Sequence, residues 1–185
     1  VNAFENDFAQ RNHIQEALRR LKLRDTDIVI VCDADEIPSA DAVQRLKGMS
    51  WARGQIRKLD MHMFYYGARC RRKGMWSHAY ACQYATLRAS KPNDLRQLSH
   101  KNKRMSAGGP FSPSDEHVPH AGWHFSFFEP SEIPAKIQAY AHQEYNSAKY
   151  TDHEQAAARI RTCADPFDRP KHKMELLIHP QPGDL

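Results

Sequence analysis

The sequence predicts an α/β domain, on the basis of three consecutive features. Residues 6–22 carry apolar side chains at helical spacing. Residues 28–32 (IVIVC) form a short apolar run rich in β-branched residues, which is typical of a strand buried on both faces. A second helix, from about residue 40 to 47, follows an acidic turn and has Ser39 in position to cap it. Helix, buried strand, turn and helix in succession indicate a largely parallel sheet.

Further elements are predicted along the rest of the chain. Residues 55–66 and 78–88 read as strands joined by a basic segment that contains glycine. Residues 89–119 hold four prolines and few large apolar side chains, so we expect a long binding or lid loop there. Beyond it we expect an aromatic strand, two helices and an irregular tail, at residues 121–128, 131–148, 152–162 and 165–185.

The composition is that of one globular domain. The 185 residues are 41% hydrophobic and 26% charged, which supports a buried core and excludes wholesale disorder. No stretch has the roughly 18 apolar residues of a membrane helix, so we expect no membrane contact from this chain itself. The net charge of +5 weakly favours an anionic partner. The four cysteines lack CxxC spacing, which disfavours a zinc ribbon, and they leave the redox compartment open.

The turn Asp33-Ala34-Asp35-Glu36 directly follows the predicted buried strand. In open α/β sheets, ligands bind at the carboxyl ends of the strands. Three carboxylates in four residues repel one another unless a cation lies among them. Since Mg²⁺ and Mn²⁺ are commonly held by carboxylates together with substrate phosphates, the turn indicates a metal that bridges protein and diphosphate. Alternatively, the same side chains cap the turn and the following helix.

The residues around this turn resemble one enzyme family. Residues 27–43 (DIVIVCDADEIPSADAV) are similar to the DxDEIP segment of glycosyltransferase family 17, the inverting β-1,4-N-acetylglucosaminyltransferases. Further blocks resemble that family in the same order, namely QRNHI at 10–14, AGWHFSFF at 121–128, KIQAYAHQEYN at 136–146 and YTD at 150–152. Because the blocks occur in order across nearly the whole chain, the resemblance is much more specific than a DxD tripeptide.

The resemblance implies a GT-A-like fold, in which residues 89–119 form an acceptor-side or lid loop of one catalytic domain over 1–185. It implies transfer of N-acetylglucosamine from UDP-GlcNAc to a mannose-containing glycan acceptor in β-1,4 linkage. It also implies that Asp33 and Asp35 hold Mn²⁺ or Mg²⁺ against the diphosphate, with Asp35 the stronger candidate ligand. Such a metal acts as a Lewis acid on the leaving UDP.

Further site residues follow from the same resemblance. His124 is expected as another metal ligand and Trp123 as a platform for a sugar face, although either could be a packed core residue. Arg11 and Asn12 are expected to contact the nucleotide, with a solvated helix face as the alternative. Glu36 is expected to orient metal-bound water or the donor sugar.

Inversion requires one general base that takes the proton from the acceptor hydroxyl. The candidate carboxylates are Glu144, Glu129 and Asp60. Glu144 ranks first because it lies in the family-like AHQEYN block beside His142. The alternative for Glu144 is a surface carboxylate that pairs with a nearby Lys or Arg.

Other functions stay open from the sequence. A metal-dependent phosphoryl or nucleotidyl transferase also uses paired carboxylates, but it does not account for the GWHFS and AHQEYN blocks. A catalytically inactive, glycan-binding relative is a further alternative. A nucleic-acid-binding module is disfavoured, because the basic residues form no regular pattern with aromatic ones and DADE repels phosphates.

The position of the acidic turn predicts a shortened chain. A GT-A sheet begins with one or two β-α units before its DxD strand, and these carry the uridine pocket. Only 32 residues precede Asp33. We therefore expect an N-terminally truncated piece of a catalytic domain, whose parent could be cytoplasmic or anchored in the Golgi membrane. Its oligomeric state is left open.

Overall fold

The computed structural model describes residues 2–101, 112–139 and 141–178. Helices and strands are mixed along the chain, which confirms the α/β class. The helices are α1 (Ala3–Asn12), α2 (Ile14–Arg19), α3 (Ala40–Gly48), α4 (Tyr84–Arg88), α5 (Pro92–Lys101), α6 (Ile133–Ala139), α7 (Ala148–Thr151) and α8 (His153–Thr162). The strands are β1 (Ile28–Val31), β2 (Glu36–Pro38), β3 (Gln55–Tyr65), β4 (Cys70–Trp76), β5 (Tyr80–Gln83), β6 (Ser112–Ser126) and β7 (Met174–Leu176).

Among the described residues, seven strands form one sheet with successive neighbours β1-β5-β3-β4-β7, and β6 pairs with β2 and β3. β5 runs antiparallel to both β1 and β3, with Cys82 opposite Val29 on one side and Ile56 on the other. β4 and β7 are also antiparallel. The expectation of a largely parallel sheet was wrong for these pairs, because β5 inserts between β1 and β3 and runs antiparallel to both.

The chain divides into two compact units. The acidic-turn unit comprises Phe8–Met61 and Trp76–Gly122. The disulfide unit comprises Val1–Asp7, His62–Met75 and Trp123–Leu185.

In the acidic-turn unit, β1 lies between two clusters of buried apolar side chains. Ile28 and Ile30 pack against one cluster, and Val29 and Val31 belong to the other. The first cluster contains Ala42, Leu46, Leu59, Met61, Ala79, Ala81, Val118 and Ala121. The second contains Ile56, Tyr80, Cys82, Leu87 and Leu95 beside Val31. β1 is thus covered on both faces, as its uninterrupted apolar sequence predicted.

The disulfide unit is named for the bond between Cys70 on β4 and Cys163 at the end of α8. Cys163 adopts the left-handed conformation (φ 50°) that ends the helix. Phe167 packs between the rings of Phe127 and Tyr145, with centroid distances of 5.7 and 3.9 Å. The long-range covalent link and these ring contacts stabilise this unit.

The stretch 89–119 departs from the predicted long loop. Residues 92–101 form α5 and residues 112–119 belong to β6, so the loop prediction was wrong there, while residues 102–111 lie outside the described part. Pro92 is compatible with a helix because it occupies the first position, where no intrahelical N–H bond is lost. The predicted irregular tail, residues 165–185, contains β7, and residues 179–185 are outside the description.

Candidate functional site

The acidic turn, residues 33–36, connects β1 to β2 and is closed by its own hydrogen bonds. The backbone N–H of Glu36 donates to the Asp33 carbonyl at 3.0 Å. In return, the backbone N–H of Asp33 donates to Oε2 of Glu36 at 2.7 Å. These reciprocal bonds fix the backbone that carries Asp33, Ala34 and Asp35.

Arg96, on α5, holds the acidic turn through hydrogen bonds to two of its carboxylates. Its Nη1 and Nη2 donate to Oε2 and Oε1 of Glu36 at 3.0 and 2.9 Å, and Nη2 also donates to Asp33 Oδ2 at 2.5 Å. Trp76 Nε1 donates to Glu36 Oε1 at 2.6 Å. The Glu36 side chain has no exposed surface, and that of Arg96 is 6% exposed. Glu36 is therefore held on both carboxylate oxygens by protein groups.

These contacts determine the pKa of Glu36. Burial on its own raises this pKa, but the hydrogen bonds from Arg96 and its positive charge lower the pKa. The bonds from Trp76 and from the Asp33 backbone act in the same direction as Arg96. As a result the pKa of Glu36 lies below its ordinary value, and the residue is a buried carboxylate at neutral pH.

Arg11, on α1, provides a second cation at the turn. Its Nη2 donates to Asp33 Oδ1 at 3.2 Å and its Nη1 to Asn93 Oδ1 at 2.8 Å, and its side chain is 10% exposed. Asn12 Oδ1 accepts the backbone N–H of Asn93 at 3.0 Å. Arg11 and Asn12 therefore join the end of α1 to the start of α5 and to the acidic turn.

The pKa of Asp33 moves in the opposite direction to that of Glu36. Burial raises it most, and the neighbouring Glu36 carboxylate raises it further. Arg96 and Arg11 offset only part of this rise. Negative charge at Asp33 is consequently less stabilised than at Glu36, so a further cation beside Asp33 would be favourable.

The turn has the donor set for a hard divalent cation. Asp33 and the half-buried Asp35 supply carboxylate oxygens, which Mg²⁺ and Mn²⁺ prefer. An ionised carboxylate has about four acceptor positions, so Asp33 can contact two arginines and still bind a cation. No cluster of three or more His, Cys, Asp and Glu side chains suited to a metal occurs among the residues that the structure describes. The residues present fit a site of two carboxylates that substrate phosphates complete.

Gly122 allows close contact between the AGWH block and the DxDEIP block. Its φ of +146° is rarely adopted by other residues, and an added Cβ would lie 2.1 Å from the Ile37 carbonyl oxygen. The backbone N–H of Ser39 donates to the neighbouring Ala121 carbonyl at 2.8 Å. The glycine of AGWH therefore permits the close approach of β6 to the residues that follow the acidic turn.

Other predicted site residues belong to the disulfide unit. Trp123 is half-buried and His124 is buried, both on β6. Glu144 is exposed in the 3₁₀ turn Gln143–Tyr145, with Oε1 at 2.7 Å from His142 Nδ1. Slight burial raises the pKa of Glu144, but bonds from its own backbone N–H and from His142 outweigh this and lower the pKa.

The sequence blocks occur in a fixed order along the chain, and two of them form the acidic turn and the close contact at Gly122. Membership of one protein family would explain both facts. The model of glycosyltransferase family 17 matches residues 1–171. The chain belongs to glycosyltransferase family 17. No curated protein and no solved structure matches it. As a family 17 member the chain is a glycosyltransferase, an enzyme whose substrates are a nucleotide sugar and a glycan acceptor.

In this family 17 chain, sequence reasoning missed Arg96, Asn93 and Trp76, all of which the structure places in the network around the turn. Arg96 and Asn93 lie in the stretch that was predicted to be a loop. A signal for α5 was present, because Pro92 followed by Asp94 is typical of a helix start.

No helix in the described part of the chain combines the length and apolarity needed to span a membrane.

Proposed function

We propose that this glycosyltransferase moves N-acetylglucosamine from UDP-GlcNAc to a mannose-containing glycan acceptor, with inversion and in β-1,4 linkage. The family match and the DxDEIP, GWHFS and AHQEYN blocks support this donor and linkage. The observation that carries the proposal is the acidic turn at the end of β1, whose Asp33 carboxylate is held by Arg96 and Arg11 and whose backbone is closed by the bonds between Asp33 and Glu36.

Asp33 and Asp35 are the residues that would hold Mn²⁺ or Mg²⁺. When bound, the metal stabilises the negative charge that develops on the departing diphosphate. The turn is already rigid, because Glu36 is bonded to Arg96 and to the Asp33 backbone, so little reorganisation accompanies binding. His124 as a further ligand and Trp123 as a sugar platform belong to the proposal on the resemblance alone.

Two side chains around the turn receive positioning roles. Glu36 directs its carboxylate to Arg96, Trp76 and the Asp33 backbone, so it holds the turn and does not contact the sugar. Asn12 holds the start of α5 through Asn93. Arg11, whose guanidinium contacts Asp33, adds positive charge beside the proposed diphosphate site.

A transfer assay tests the proposal. The chain is incubated with UDP-GlcNAc, Mn²⁺ and a mannose-terminated N-glycan, and mass spectrometry is expected to detect addition of one N-acetylhexosamine. Asp35→Asn should abolish the product, whereas Asp41→Asn, which alters an exposed carboxylate on α3, should leave it unchanged. Transfer at the wild-type rate by Asp35→Asn would contradict the metal role. Transfer of phosphate or nucleotide in place of sugar would support the phosphoryl or nucleotidyl alternative.

A further inference from the structure

A second carboxylate-centred cluster lies in the acidic-turn unit. Asp60, on β3, has its Oδ1 2.7 Å from Nδ1 of His117 on β6 and 2.5 Å from Oγ of Ser77. The Asp60 side chain is 16% exposed and that of His117 is 39% exposed. The cluster therefore has a largely buried carboxylate behind an imidazole that reaches solvent.

The hydrogen bonds determine which imidazole nitrogen carries the proton. An ionised carboxylate can only accept hydrogen bonds, so both Ser77 Oγ and His117 Nδ1 donate to Asp60. In the neutral imidazole, Nε2 of His117 then bears a lone pair. Within the described residues, His117 has no hydrogen-bond partner besides Asp60, which leaves Nε2 available to a substrate hydroxyl.

The cluster is joined to the acidic turn through two consecutive residues. Trp76 donates to Glu36, and Ser77, the next residue, donates to Asp60. The Trp76 ring also packs on His78, with centroids 3.9 Å apart. Trp76 and Ser77 thus bond Glu36 of the acidic turn and Asp60 of the cluster, respectively.

We propose that His117 is the general base of the transfer reaction and that Asp60 is its positioning residue. This inference rests on the proposed function. The acceptor hydroxyl gives its proton to Nε2 of His117 while its oxygen bonds to the anomeric carbon of the donor. The bond from that carbon to the diphosphate oxygen breaks, and its electron pair leaves with UDP. Asp60 stabilises the imidazolium, which returns the proton to water.

The cluster suits this role better than Glu144, the first sequence-based candidate. Glu144 is exposed, and its lowered pKa makes it a weaker proton acceptor. His117 lies in the same compact unit as Asp33 and Asp35. Asp60, which was a candidate base itself, contacts solvent less than His117 does and acts through the imidazole.

The test is His117→Ala in the full chain, with transfer kinetics and donor binding measured together. The turnover number should fall about 10²–10⁴-fold. The KM for UDP-GlcNAc and the rise in melting temperature on adding UDP-GlcNAc with Mn²⁺ should be unchanged. Added imidazole should restore part of the turnover of His117→Ala. His153→Ala, which alters an exposed histidine on α8, is the matched control and should keep the wild-type turnover.

Substitutions at Asp60 test the positioning role. Asp60→Asn should lower the turnover number with the KM for donor unchanged, and Asp60→Glu, which keeps a carboxylate, should recover part of it. Where His117→Ala does not fold, His117→Gln is measured in the same way. Full turnover in the His117 variant, or a loss of turnover that added imidazole does not reverse, would overturn the assignment of His117 as the general base. In that case transfer by the wild-type chain would still support the proposed function. Absence of transfer by the wild-type chain contradicts the proposed function itself.

Discussion

Arg96 donates hydrogen bonds of 3.0 and 2.9 Å to the two carboxylate oxygens of Glu36, whose side chain has no exposed surface. The pair joins α5 to the acidic turn across 60 positions of sequence. Removing one member of a buried pair leaves the other without its charge partner, which costs about 3–5 kcal/mol in typical proteins. The anchor should therefore be visible in the stability of the chain.

Glu36→Gln is expected to lower the free energy of unfolding by about 3 kcal/mol, because Arg96 loses its buried carboxylate partner Glu36. Urea denaturation followed by circular dichroism measures this change. Glu132→Gln, at an exposed position in the 3₁₀ turn Pro130–Glu132, is the control and should change stability by less than about 0.5 kcal/mol. Equal stability of Glu36→Gln and the wild type would contradict the anchor.

Gly122→Ala is expected to destabilise the chain by at least about 2 kcal/mol, since its φ is strained for alanine and its Cβ would overlap the Ile37 carbonyl. Gly48→Ala, at the end of α3 with open space around it, should be neutral or stabilise by up to about 1 kcal/mol. Thermal unfolding of the two variants distinguishes them. The same effect from both substitutions would show that the close approach of β6 to Ile37 is unimportant.

Reduction of the Cys70–Cys163 bond should destabilise the chain. The bond closes a loop of 93 residues, and the chain-entropy estimate for such a loop is roughly 4–5 kcal/mol. A reductant should therefore lower the melting temperature of the wild type and have no further effect on Cys70→Ala. An unchanged wild-type melting temperature, with reduction verified by mass spectrometry, would contradict a stabilising role for the bond.

Asp168 should contribute to stability in a pH-dependent way. Hydrogen bonds from Arg159 and Lys149 lower its pKa from 3.8 to about 2. The unfolded chain then binds more protons between these values, so the contribution is complete above about pH 4 and is lost as the pH falls toward 2.

Melting temperatures of Asp168→Asn and the wild type should consequently differ most above about pH 4 and converge near pH 2. Glu154→Gln, on an exposed position of α8, should follow the wild type across the range. A constant difference between Asp168→Asn and the wild type at every pH would rule out this contribution.

Local patterns predicted the parts of the fold that depend on neighbouring residues. The apolar run of β1, the acidic turn and α3 follow from short stretches of sequence, and Ser39 does cap α3 by accepting the Ala42 N–H at 3.1 Å. The predicted strand over 78–88 turns into α4 at Tyr84, whose N–H donates to the Asp27 carbonyl. That contact joins distant segments, so periodicity alone does not reveal it.

Long-range pairing explains what the sequence did not predict at the candidate site and in the disulfide unit. Arg96 reaches Glu36 across 60 positions and Cys163 reaches Cys70 across 93. Prolines suggested a loop around Arg96, although Pro92 begins a helix there. His117 received no role because its partner, Asp60, is 57 positions away on another strand. Motif spacing cannot show such contacts, whereas the fold brings them together.

Binding of the donor should depend on a metal held by Asp33 and Asp35. Isothermal titration calorimetry compares UDP-GlcNAc binding to the wild type and to Asp35→Asn, each with Mn²⁺ and with a chelator. We expect binding to the wild type only when Mn²⁺ is present, and loss of that metal-dependent heat in Asp35→Asn. Equal affinity for UDP-GlcNAc with and without Mn²⁺, or in the wild type and Asp35→Asn, would contradict this expectation.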